Sequence, residues 1–154
     1  MALAAVMDVM TMTIPNRISL FLLAAFLALA PFAGLSWNAF SMHLAIGLAV
    51  LLVGVAMFSV GWVGGGDAKL LSAAALWVGP ALLPMYLAHV AIVGGVLAIA
   101  VLAYRRWVPA QALPLPEWAR KLHASGTGIP YGVAIAGGAM MIYPSTPWFL
   151  AFAS

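Results

Sequence analysis

The chain is short of charge. Of 154 residues only 6% are Asp, Glu, Lys or Arg, against 66% hydrophobic, and the mean hydropathy is +1.15. A soluble domain carries about 25% charged residues. A water-facing surface is therefore excluded, and the chain reads as an integral membrane protein forming a single domain over 1–154. Cysteine is absent, which removes disulfides, thiolate metal sites and a Cys nucleophile. Acids are scarcer still than bases: Asp8, Asp67 and Glu117 stand against six Lys and Arg, a net charge of +3. So small an excess excludes nucleic acid as a partner and, in a membrane protein, serves to set topology. The three histidines, His43, His89 and His123, share no His-x-x-x-His spacing, so neither a metal site nor a cofactor is expected. No basic stretch precedes the apolar residues 1–7 and Asp8 follows them at once, so no cleavable signal peptide is read.

What is present is a series of apolar runs. A helix needs about 20 apolar residues to cross a bilayer. Six segments are read: Met1 to about Ile14, Ile18 to about Leu35, about Met42 to Val63, a short one starting just after Asp67 and fading at Pro80 and Pro84, about Met85 to Tyr104, and about Ile129 to the C-terminus, disturbed by Pro144 and Pro147. The expected fold is all-α, a polytopic bundle of about six transmembrane helices. The first segment is short and holds Asp8. It is either a short helix packed against neighbours or one whose native start lies upstream of Met1. With six crossings, Arg17, Lys69, Arg105, Arg106, Arg120 and Lys121 all fall in loops on one side. The positive-inside rule makes that side cytoplasmic and turns both termini outward. Between segments 5 and 6, Pro109, Pro114 and Pro116 argue against a continuous helix, while Glu117–His123 predicts a helical turn on the membrane surface with Trp118 toward lipid.

The stretch Gly61-Trp62-Val63-Gly64-Gly65-Gly66-Asp67-Ala68-Lys69 interrupts this apolar pattern. An acid in or near a membrane segment is costly and marks a functional candidate. Glycines without side chains let backbones and a substrate chain come close. Asp8 precedes the first basic loop by about two helical turns and Asp67 opens segment 4, so both lie near the cytoplasmic face. Two carboxylates sharing a site cannot both ionise cheaply and come to share a proton. One then takes a proton from water while the other gives one to a peptide carbonyl. The same pair also suits a structural hydrogen-bond anchor, an ion ligand, or the relay of a proton-coupled membrane transport component. The Gly-rich run is not a phosphate loop, because Leu70 follows Lys69 where Ser or Thr is required. Gly61 and Gly65, and Gly128 and Gly132, stand at the spacing that permits close helix approach. Of these, Gly61, Gly128 and Gly132 are read as packing residues.

Gly64-Gly65-Gly66-Asp67 fits the Gly-x-Gly-Asp motif of intramembrane aspartic proteases, and Gly-Gly-Gly-Asp-Ala-Lys-Leu-Leu resembles the prepilin peptidase branch in particular. Asp8 followed by Ile14-Pro15-Asn16-Arg17 resembles the first motif of that family. Ile129-Pro130-Tyr131-Gly132-Val133-Ala134-Ile135 resembles the opening of its last helix. The resemblance implies a bacterial inner-membrane endopeptidase without cofactors that removes the leader of type IV prepilins at the cytoplasmic face. Asp8 and Asp67 are then the catalytic pair, and Gly64, Gly65, Gly66, Lys69, Pro15 and Asn16 the residues that meet the substrate. It further implies that a prepilin presents a short, often basic leader, a Gly at the cut and an apolar helix with a Glu near its start. Lys69, two residues past Asp67, either pairs with that Glu or only marks the cytoplasmic side and tunes Asp67. The Cys-x-x-Cys domain of the longer members is missing, so the chain resembles the short Flp-type (tight-adherence) peptidases, with no methyltransferase activity expected. A presenilin-like enzyme is disfavoured because Met7, rather than Tyr, precedes Asp8.

Overall fold

The computed structural model describes residues 1–108, 116–123 and 128–153, and among these every regular element is helical. In order they are α1 (Ala2–Thr11), α2 (Asn16–Leu29), α3 (Trp37–Ser59), α4 (Gly65–Val78), α5 (Leu83–Trp107), α6 (Glu117–His123), α7 (Tyr131–Ile142), a 3-10 turn (Tyr143–Ser145) and α8 (Pro147–Ala153). The prolines of the polar connection at 109 and 114 lie outside the described residues.

Local chemistry sets the boundaries. Met12 closes α1 in the left-handed conformation, φ 56°, with its N–H on the Asp8 carbonyl. Ser36 caps α3, its hydroxyl accepting from the Ala39 N–H at 3.2 Å, which starts that helix five residues before the expected Met42. Gly61, at φ +78°, turns the chain out of the Gly54-to-Ser59 end of α3, and a Cβ on it would meet nothing within 4 Å. Gly61 is therefore a turn residue rather than a packing residue, and a Cβ on Gly128 would likewise meet nothing within 4 Å among the described residues. α4 begins at Gly65, two residues before Asp67 rather than after it. Gly64 takes the extended backbone of a cap, and the carboxylate three positions on supports the first turn. Gly79, at φ +79°, ends it.

α4 is the centre of the molecule. It packs against α2, α3, α5 and α7, and Ala68, Leu70, Ala73, Ala74, Ala75, Leu76 and Val78 are all buried. Small residues bring α3 close to it: a Cβ on Gly54 would stand 2.9 Å from the Ala68 Cβ, and one on Gly47 would press on Leu76. Ser72 Oγ donates to the Gly47 carbonyl at 2.8 Å. At the far end from Asp67, His43 Nδ1–H donates to the Leu76 carbonyl at 2.7 Å. Trp77 Nε1 donates to the Leu22 carbonyl and Trp148 Nε1 to the Trp77 carbonyl, at 2.9 and 2.8 Å. These bonds sit in an aromatic cluster with Phe26 fully buried at its middle. On the other flank Tyr86 of α5 donates to the Ile135 carbonyl of α7 at 3.3 Å, and Gly138 lets Val90 in.

Two helices, α3 with 23 residues and α5 with 25, are long and apolar enough to cross a membrane. Only 17% and 22% of their most apolar windows are buried. A core helix of a soluble protein would be covered on most sides, so these apolar faces look outward to lipid. The remaining apolar segments are shorter than spanning length: α1, α2, α4 and α7 have 10, 14, 14 and 12 residues.

Candidate active site

Asp8 lies on α1 and Asp67 in the first turn of α4, yet both line one open pocket of about 280 Å³. Met12, Thr13, Ile14 and Asn16 form one wall, and Gly64, Gly65 and Gly66 the other. The walls are in contact through Gly66, whose missing Cβ leaves room for Ile14: a Cβ there would stand 3.2 Å from the Ile14 Cβ. The two carboxylates feel each other's charge across the pocket, and among the described residues no hydrogen bond joins them.

Each carboxylate lies beside the N-terminus of a helix. Asp67 stands in the first turn of α4 with Oδ2 close against Gly64, the residue that caps its own helix. Asp8, whose residue surface is only 5% exposed, accepts on Oδ2 from the Gly132 N–H in the first turn of α7, at 2.7 Å. That N–H has no partner within its helix, and the α7 dipole favours a negative group beside it. Space decides which residue can stand at 132: a Cβ would lie 2.8 Å from both Asp8 Oδ2 and Ile14 Cδ1.

Of the residues expected at the site, Asp8, Asp67, Gly64, Gly65, Gly66 and Asn16 line the pocket together. Lys69 is exposed beside it and donates from Nζ to Asn16 Oδ1 at 3.0 Å, tying α4 to the start of α2. Pro15 does not line the pocket; it takes the extended conformation that caps α2. Sequence analysis missed Met12, Thr13 and Ile14 as walls and Gly132 as a partner of Asp8. Ile14 and Gly132 do stand inside the motifs quoted above, but nothing in those motifs links residue 132 to residue 8. The histidines stay apart. His43 binds the Leu76 carbonyl, His89 the Met85 carbonyl at 2.7 Å, and His123 the Val108 carbonyl.

Basic residues stand on the elements that form the pocket. Arg17 follows Asn16, the residue whose Oδ1 accepts from Lys69. Arg105, near the end of α5, donates from Nε to the Leu122 carbonyl of α6 at 2.7 Å and from Nη2 to the Gly128 carbonyl just before α7 at 3.4 Å. α6 packs against α1 and α5, with Trp118 exposed.

Among curated proteins and among solved structures nothing matches the chain. A family model does, over residues 1–99, which takes in α1 to α4 and most of α5 and includes both aspartates. That family is one of membrane aspartic peptidases acting on prepilins. With 99 of 154 residues matched, the chain belongs to the type IV leader peptidase family.

Proposed function

We propose that the protein is an aspartic endopeptidase that removes the leader of Flp-type prepilins at the cytoplasmic face of the bacterial inner membrane, with Asp8 and Asp67 as its catalytic pair. The observation that carries this is the pocket itself. Two of the three acids in the chain, 59 residues apart, line one cavity beside a triglycine wall. One carboxylate takes a proton from a water molecule as that water adds to the scissile carbonyl carbon, and the other gives its proton to the carbonyl oxygen. Collapse of the resulting diol breaks the C–N bond, the leaving nitrogen takes up a proton, and the pair returns to its one-proton state. Gly64, Gly65 and Gly66 offer an edge without side chains along which an extended substrate can lie. Asn16, in the pocket wall, and Lys69, beside it, meet the acidic residue near the start of the pilin helix.

The absence of cysteine favours the short Flp-type branch over members that also methylate. The basic residues on the elements that form the pocket favour a multi-pass arrangement with the pocket end cytoplasmic. The test is co-expression with an Flp-type prepilin, read as a shift in pilin mobility, together with mass spectrometry of the new N-terminus. A pilin that keeps its leader beside a membrane-inserted wild-type protein rejects this substrate class.

A further inference from the structure

We propose that Gly132 is a positioning residue of the active site: its N–H holds Oδ2 of Asp8, and only a residue without a Cβ leaves that carboxylate room. The inference rests on Asp8 and Asp67 being the catalytic pair. It extends the site to α7, beyond the stretch matched by the family model, which ends at residue 99. Among the described residues Oδ2 is the only Asp8 carboxylate oxygen with a hydrogen-bond partner. An oxygen engaged by an N–H is poorly placed to take a proton, so the orientation leaves Oδ1 for the exchange. The bond joins residues 124 apart in sequence and is buried. α1 has 10 residues and packs chiefly on α7, so the first turn of α7 is the element that fixes where Asp8 points.

Gly132→Ala keeps the N–H and adds the Cβ. That Cβ would stand 2.8 Å from Asp8 Oδ2 and 3.1 Å from Asp8 Cβ, so the side chain of Asp8 has to move. A displacement of about an ångström at a reacting group costs on the order of a hundredfold in rate. The expected result with an Flp-type prepilin is a fall in kcat of that order with KM within about twofold, because the substrate-facing wall at Gly64–Gly66 is untouched. Gly137→Ala on the same helix, where the Cβ would meet Val93 at an ordinary 3.4 Å, leaves both constants unchanged.

The same Cβ would also stand 2.8 Å from Ile14 Cδ1, so Gly132→Ala/Ile14→Val separates the two contacts, with Ile14→Val alone as its reference. A double variant that stays impaired supports the role. One that recovers its kcat shows that crowding of Ile14 was responsible and overturns it, as does full kcat in Gly132→Ala. If Gly132→Ala is not recovered from membranes, the double variant decides by the same criterion. Activity of Asp8→Asn or Asp67→Asn, measured alongside, refutes the catalytic pair itself. An inactive pair with a fully active Gly132→Ala refutes only the role of Gly132.

Discussion

Asp8 and Asp67 are the two side chains on which the proposed chemistry depends, and each stands out in the sequence for the same reason: a carboxylate among apolar residues is costly unless it is put to use. Exchange of either for Asn keeps the shape and removes the acid. Asp8→Asn and Asp67→Asn are each expected to lower kcat on the order of 10²–10⁴-fold, the usual worth of a general acid or base, while the protein still accumulates in the membrane. Near-normal turnover by either variant would show that the pair is not the catalyst. Lys69 poses a different question, because its ammonium already has a partner in Asn16 at 3.0 Å. An exposed hydrogen bond of this kind contributes only about 1 kcal/mol, so a substrate carboxylate can displace it. Lys69→Met is then expected to slow cleavage of a wild-type prepilin about tenfold, the equivalent of one charge-assisted hydrogen bond. It should barely affect a prepilin whose Glu near the helix start is already Gln. Equal slowing of the two substrates would show that Lys69 acts on the site itself and does not read the Glu. None of this shows in composition: the Asn16 contact spans 53 residues, and only the fold brings it about.

At the level of elements, the long apolar helices were legible and their ends less so. α3 and α5 announce themselves by length and hydropathy, and the α6 turn by its position among basic residues and prolines. The sequence places α4 but begins it late, because three glycines read as a break in a helix, whereas Gly65 and Gly66 form its first turn. Glycine identity alone does not separate a turn from a packing contact. Gly61 serves the turn and Gly54 the packing, although both sit near the same end of α3. The consequence is testable. A Cβ at 54 would already be 2.9 Å from the Ala68 Cβ, one residue past Asp67, and Gly54→Leu adds three more carbons. Overpacking of this kind costs about 1–3 kcal/mol. The variant is therefore expected to lose several degrees in Tm by differential scanning fluorimetry in detergent, and to lose kcat because the head of α4 is displaced. Gly95→Leu on α5, where nothing lies within 4 Å of the added Cβ, is the matched control. An unchanged Tm for Gly54→Leu would show that α3 and α4 do not need this close approach.

Over the whole molecule, the proposed topology draws on charge in the sequence and on contacts in the structure. From sequence, six basic residues fall in alternate loops. From structure, the bonds Lys69–Asn16, Asp8–Gly132, Arg105–Leu122 and Arg105–Gly128 draw together the ends of α1 and α5 and the starts of α2, α4 and α7. Helices that meet at one end by alternate termini are antiparallel neighbours, which is the arrangement a chain crossing a bilayer repeatedly would have. The short helices need not each span about 30 Å of hydrocarbon by themselves. α2 continues into the turn at 30–34, and α7 into the 3-10 turn and α8. The chain contains no cysteine, so single cysteines report position without background. Cysteines at 17, 69 and 106 are expected to react with a membrane-impermeant maleimide only after the cells are opened. Cysteines at 32 and 81, in the connections at the opposite ends of α2 and α4, should react in intact cells. Each variant is checked for accumulation, and the 17 and 106 variants for retained cleavage, so that a misfolded protein is not read as a topology. Labelling of 17, 69 or 106 from outside would put the pocket on the face where no prepilin leader is presented, and the assignment of substrate would fall with it.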